Sequence, residues 1–263
     1  MATVADIMRV LDTLAPGYMK MDWDNVGLLC GSRKQTVTKV LVALDPFEEV
    51  CREAAQWGAE LLLTHHPLIF RPVKAVTDET EVGRCIQLLC ANGISAVAAH
   101  TNLDCAPEGV NHRLAQLLGL QDIQVISPSG VDEQGQPWGL MRMGQVSEQP
   151  LEGFLSLVKD TLGCRGLRYV SGGKPVCQVA VGGGACASEL MDAVRAGCDT
   201  FVTSDVKYNN FWDARSCGIN LIDAGHFHTE NPVVPLIAER IAAAFPEIQV
   251  KISEKHTDCM KYY

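Results

Sequence analysis

The sequence predicts an α/β protein made of two similar lobes. Short apolar runs rich in Val, Ile and Leu alternate with longer stretches of helical periodicity, the pattern of a largely parallel sheet with helices packed on it. A strand-helix-strand unit then recurs in the second half of the chain at a fixed spacing, which predicts that the lobes arose by internal duplication.

The chain opens on an amphipathic helix over 4–14, in which Asp6 and Arg9 interrupt the apolar residues; no apolar run reaches the roughly 18 to 20 residues that span a bilayer. The Val- and Leu-rich run at 39–44 predicts a strand, followed by a helix over 46–57 and a second strand at 60–64. A helix over 79–91, a strand at 95–99 and a helix over 109–118 come next, the last with Pro107 near its start and Gly119 as its stop. Residues 127–137, with Ser, Pro, Gly, Asp and Gln, read as a surface connection between lobes. The lobes are therefore expected at 1–128 and 129–263, with the C-terminal part packing back on the first. The second lobe is expected to carry helices over 151–161, 188–196, 208–216 and 232–244 and strands at 178–181, 200–203 and 220–223.

The repeat is specific. Val40, Val42, Ala54, Gly58 and Thr64 match Val179, Val181, Ala193, Gly197 and Thr203 at a constant offset of 139. Gly93, Ile94 and Ala99 match Gly218, Ile219 and Ala224 at an offset of 125, because the first copy carries a longer segment after His66.

Net charge of -9 with 47% hydrophobic residues excludes a protein whose main work is neutralising nucleic-acid phosphate, which needs a basic face. The eleven cysteines are odd in number, irregularly spaced and contain no Cys-x-x-Cys pair, so they read as reduced core thiols in a cytoplasmic protein. Cys105 stands out only because it follows Asp104.

Five of the seven histidines fall in three short segments, Thr64-His65-His66-Pro67, His100 to Asp104, and Gly225-His226-Phe227-His228-Thr229-Glu230. Each segment follows a predicted strand, and ligand-binding groups of parallel α/β sheets project beyond the carboxyl ends of strands. Imidazole beside carboxylate suits a divalent ion such as Zn, Mn, Fe, Co or Ni. Two adjacent histidines point in different directions, so a pair of ions uses them better than one. His226 and Glu230 are spaced i, i+4, on one helical face, whereas His228 alternates away from them. Taken singly, each of these residues also fits a surface histidine or a turn-capping carboxylate; three clusters at equivalent strand ends point instead to a metal site in the cleft between the lobes.

Trp23 to Leu29, Thr64-His65-His66-Pro67-Leu68-Ile69-Phe70, His100-Thr101-Asn102-Leu103-Asp104, Val181-Gly182-Gly183-Gly184, Thr203-Ser204-Asp205-Val206-Lys207-Tyr208 and Asp223 to Glu230 together resemble the Nif-three-like family. Its bacterial members are often named GTP cyclohydrolase I type 2 homologues. The resemblance covers nearly the whole chain and implies intertwined lobes, a dinuclear site and a ring-shaped homohexamer. It implies His65, His66, Asp104, His226 and Glu230 as metal ligands, with Glu230 shared by both ions. Phe227-His228-Thr229 departs from the family's more frequent pattern there, which leaves the ligands in place.

The triple glycine Gly182 to Gly184 has two readings, a phosphate cradle at a helix start or a tight strand-to-helix turn. Lys207 either meets an anionic substrate or pairs with Asp205, and Trp23, Asp24 and Asn25 are expected to shape the cleft. The leading functional expectation is a metal-dependent hydrolase acting on a nucleotide or a small phosphorylated or heterocyclic compound, with His100 moving protons just outside the ligands. The alternatives are a protein that stores, delivers or inserts metal, and an interaction scaffold in which metal fixes the lobes. No membrane partner is expected, and nucleic acid is not expected as the main one.

Overall fold

Thr3 begins the first helix through its side chain: Oγ1 accepts the Asp6 amide at 3.3 Å while the Asp6 carboxylate accepts the Thr3 amide at 2.9 Å, a reciprocal cap. In this computed structural model, which describes residues 1–263, that helix is α1 (Val4–Leu14), and Val4, Ile7, Met8, Leu11 and Leu14 bury one face of it. The chain continues through β1 (Gly27–Cys30), β2 (Lys39–Ala43), α2 (Glu48–Trp57), β3 (Leu61–Thr64), α3 (Glu81–Ala91), β4 (Ser95–Ala98), α4 (Thr101–Cys105) and α5 (Val110–Leu117). Strands β5 (Gln121–Ile126), β6 (Gly130–Val131), β7 (Pro137–Trp138) and β8 (Met141–Gln149) precede α6 (Leu151–Leu162), β9 (Arg168–Val170) and β10 (Val176–Val181). The remainder is α7 (Leu190–Arg195), β11 (Thr200–Thr203), α8 (Tyr208–Cys217), β12 (Asn220–Asp223), α9 (His226–Glu230), α10 (Val233–Ala244) and β13 (Gln249–Ile252).

The chain forms two compact units, each assembled from two separate segments: Met1–Leu103 with Val233–Thr257, and Asp104–Pro232 with Asp258–Tyr263. The first unit holds a five-stranded sheet in the order β1-β4-β3-β2-β13. Four of its strands run parallel and β1 pairs antiparallel to β4. Every residue of β3 and β4 is buried, as expected where helices cover both faces of a parallel sheet. Leu41, Leu62, Ile94 and Ala96 pack there against Cys51, Ala54 and Leu89 of α2 and α3.

The second unit holds a six-stranded sheet in the order β5-β8-β10-β11-β12-β9, in which only β10, β11 and β12 are mutually parallel. Alternation sorts its side chains: Val179, Val181, Val202 and Ile222 pack with Phe154 and Val158 of α6. Ala180, Phe201 and Leu221 face Leu190 and Ala193 of α7.

The expected boundary at 128/129 falls inside the second unit, because β5 before it pairs with β8 after it. Residues 127–137, expected as a connection between lobes, carry the β6–β7 ribbon. The helix expected over 188–196 is a 3-10 turn (Ala187–Glu189) followed by the six-residue α7. The first sheet is largely parallel, but the second is mixed: β5, β8 and β9 pair antiparallel there, and their exposed or half-buried residues break the continuous apolar signal of a doubly covered strand. At matched positions of the two strand-helix-strand units, Gly58 and Gly197 both end their helices with positive φ, 74° and 80°. No helix is long and apolar enough to cross a membrane.

Residues 249–252 belong to the first unit because β13 pairs in parallel with β2, and Glu53 of α2 clasps the segment beyond. Its carboxylate accepts from Ser253 Oγ at 2.5 Å, the Glu254 amide at 3.1 Å and Lys251 Nζ at 3.0 Å. Burial opposes the charge, but these donors outweigh it and hold the Glu53 carboxyl below its ordinary range. The clasp is therefore fully present above the unfolded carboxyl value and weakens as pH falls through the lowered native one. Glu53→Ala is expected to cost about 1–3 kcal/mol in urea denaturation at neutral pH. A shift within error would show that β13 is held by its strand pairing alone.

Candidate metal centre

In the first unit the chemistry gathers at the carboxyl ends of β2, β3 and β4. His65 and His66 follow β3 and His100 follows β4; one ring nitrogen from each of the three lies within 4.8 Å of those of the other two. Each ring is aimed by its Nδ1. In His65 that atom donates to the Ala99 carbonyl at 2.8 Å, in His66 to the Asp45 carboxylate at 2.6 Å, and in His100 to Asp24 at 2.8 Å. A carbonyl or carboxylate oxygen only accepts, so the proton sits on Nδ1 and the lone pair of the neutral ring on Nε2. This is the outer-shell pattern that orients metal-binding histidines.

Asp24 is fixed in turn. Its other oxygen receives the Thr101 amide at 3.0 Å and Thr101 Oγ1 at 2.5 Å. Burial opposes its ionisation, yet His100 and Thr101 hold the carboxyl well below the ordinary carboxylate range. Asp45 was not singled out in the sequence, and the signal available was only its place directly after a strand end. The group also contains His100, which the sequence reading set outside the ligands.

In the second unit Glu230 is almost fully buried, and its Oε2 lies 2.9 Å from His226 Nε2. An oxygen of Asp104 and one of Glu230 approach within 4.8 Å. His226 donates through Nδ1 to Asp205 at 2.9 Å; burial alone would lower its pKa, but Asp205 and Glu230 together raise it to about 10. Asp205 reaches this position with φ of 51°, a left-handed conformation that Asp tolerates better than most residues. Asp205 is therefore engaged with His226. His228 turns to the Leu162 carbonyl at 3.1 Å and to Asp258 at 3.3 Å.

The triple glycine is a packing device. The amides of Gly182, Gly183 and Gly184 donate to Val202 O, Asn111 Oδ1 and Thr229 Oγ1 at 3.0, 2.6 and 3.0 Å, so they are not turned to a phosphate. A Cβ on Gly184 would stand 2.0 Å from Glu230 Oε1 and 3.2 Å from His226 Nε2. Asn111, which the sequence reading did not select, also donates to the Asp104 carbonyl at 3.2 Å, tying the aspartate's helix to the glycine turn.

The Nδ1-aimed imidazoles of the first unit, and the buried carboxylates of Asp104 and Glu230 beside His226 in the second, are each donors of the kind that hold a divalent ion. The Duf34/NIF3 (NGG1p interacting factor 3) profile matches residues 2–259. The chain belongs to this family. Among Duf34/NIF3 relatives, a "GTP cyclohydrolase 1 type 2 homolog" of Clostridium perfringens is 36% identical over 238 residues, 90% of each chain. A "GTP cyclohydrolase 1 type 2" of Helicobacter pylori is 30% identical over 239 residues, 91% of each. A Bacillus cereus protein related to NIF3 superposes with a TM-score of 0.93 at 25% identity, covering 100% of this chain and 99% of its own. A Staphylococcus aureus hypothetical protein gives 0.90 at 31% identity, covering 99% of both. The Duf34/NIF3 assignment thus covers the entire α/β architecture.

Proposed function

We propose that this protein is a divalent-metal-dependent hydrolase acting on a nucleotide or another small phosphorylated or heterocyclic compound. The observation that carries the reading is the set of four histidines, His65, His66, His100 and His226, each with Nδ1 committed to a backbone or carboxylate oxygen. Such commitment has a use when Nε2 binds an electrophile, and the relatives named for GTP cyclohydrolase give the direction of the substrate class. We assign the five residues His65, His66, Asp104, His226 and Glu230 as those that would hold two divalent ions. When bound, divalent ions supply Lewis acidity and bring water ionisation towards neutrality. The chain's own residues orient and carry protons: Asp24 holds His100 with Nε2 as the accepting atom, which suits it to take a proton from a nucleophile and return it to a leaving group.

The test is metal analysis of gently purified protein joined to turnover of a broad nucleotide panel by stripped protein resupplied with Mn, Zn, Co or Fe. Glu230→Gln keeps the shape and removes the charge that screens two cations from each other. It is expected to lower bound metal below the wild-type level and abolish hydrolysis while leaving the fold intact. His228→Ala is expected to do much less to metal content, because His228 faces Leu162 and Asp258. Equal metal loss from both substitutions would refute this reading of α9. Metal restored without turnover of any panel member would favour a metal-handling role. We further propose a cytoplasmic homohexamer; light scattering that returns the 28.5 kDa monomer at micromolar concentration would refute the assembly.

A further inference from the structure

Beside the three-histidine group, the first unit presents aromatic surface that its own core does not use. Trp23 is 63% exposed and Phe70 46% exposed, and their rings meet edge to face with centroids 5.8 Å apart. The Trp23 ring lies 6.3 Å and the Phe70 ring 6.1 Å from the His100 ring, both also edge to face. Single exposed apolar side chains are ordinary, but this pair is held in place. Asp24, next to Trp23, is anchored by the amide and hydroxyl of Thr101, and Asn25 Nδ2 donates to the Ile69 carbonyl at 2.6 Å, next to Phe70. The two aromatic loops are thus cross-tied, so their rings stay at the surface without folding into the core. Arg71 and Lys74 follow Phe70 in one exposed run and bring positive charge to an otherwise acidic protein.

Fixed aromatic rings accept flat π-systems by stacking, and nearby cations accept phosphate oxygens. We propose that Trp23 and Phe70 form a stacking platform for the base of a nucleotide, presenting its ring to His100 while Arg71 and Lys74 receive phosphate charge. The inference rests on the hydrolase reading and narrows its substrate class to a planar heteroaromatic ring that carries phosphate.

The experiment titrates metal-loaded protein with GMP, and with ribose 5-phosphate as the probe that lacks a base, by calorimetry and tryptophan fluorescence. GMP is expected to bind and quench emission. Trp23→Leu is expected to weaken GMP about tenfold or more and to remove most of the quench, since stacking on one aromatic ring commonly contributes that much. Trp23→Phe keeps a ring and should stay within about threefold, and ribose 5-phosphate affinity and metal content should not move in either variant. Failure of GMP to bind, unchanged GMP affinity in Trp23→Leu, or equal loss for GMP and ribose 5-phosphate would each overturn the platform. So would a Trp23 emission that responds to protein concentration and not to GMP, which would mean that a second copy covers the ring. GMP binding that depends on Trp23 without turnover of any nucleotide would keep the platform and remove the hydrolase. Nucleotide turnover with KM unchanged in Trp23→Leu would keep the hydrolase and remove the platform.

Discussion

Gly184→Ala is expected to empty the candidate centre of metal while leaving the protein folded. The backbone at this position has φ of 61°, which costs an alanine about 1–2 kcal/mol. The new methyl would also stand 2.0 Å from Glu230 Oε1. One side must move, and the glycine backbone is the stiffer. Its carbonyl accepts from Cys186 N at 2.9 Å, Ser204 N at 3.1 Å and Ser204 Oγ at 2.5 Å, and its amide donates to Thr229 Oγ1 at 3.0 Å. The Glu230 carboxylate is the end of a flexible side chain, so it swings away from its place beside His226. The expected result is a modest fall in thermal midpoint with a drop in metal affinity of at least about tenfold, the scale seen when groups supporting a metal site are disturbed. Calorimetric metal titration of stripped protein measures it. Wild-type affinity in this variant would mean that Glu230 does not need its present position to bind metal.

Arg142→Met should act on stability. The guanidinium is almost fully buried and donates to four carbonyl oxygens, those of Gly139 at 2.6 Å, Met141 at 3.1 Å, Cys105 at 3.2 Å and Ala106 at 2.6 Å. Burial pulls its pKa down to about 10, which still leaves a cation at neutral pH. Methionine fills much of the space but satisfies none of these acceptors, two of which belong to the chain directly after Asp104. Orphaning several carbonyls that served a buried charge is expected to cost about 3–5 kcal/mol. Arg142→Lys should recover only part of this, because a point charge with three donors replaces a planar fork with five. Urea denaturation reads both variants. A loss below about 1 kcal/mol for Arg142→Met would mean that water or relaxed backbone satisfies the same oxygens.

Much of the parallel architecture was legible in the residues. The helix at 4–14 and the strands at 200–203 and 220–223 were placed to the residue, because a long amphipathic period and a short run with an apolar centre between polar ends are strong local signals. The edge and antiparallel strands were not. Strand β5 has a single buried residue and β13 is exposed at both ends, so neither carries the apolar pattern that announces a buried strand; each is fixed by a partner outside its own local stretch. The polar loop at 127–137 had the composition of a linker, and only its neighbours' pairing shows that it lies within one unit.

By itself the sequence determined the α/β class, the family motifs and the clustering of histidine and carboxylate after strand ends. These are properties of spacing and residue type, which local periodicity preserves. Only the tertiary structure decided that Asp45, Asp24 and Asp205 aim His66, His100 and His226, because those pairs are 21, 76 and 21 residues apart. It also decided between the two readings of the glycine run: the amides are spent on Val202, Asn111 and Thr229, and the missing Cβ leaves room for Glu230. A hydrogen-bond partner or a steric vacancy depends on which distant segments the sheet brings together, and no local pattern in the chain encodes that distance.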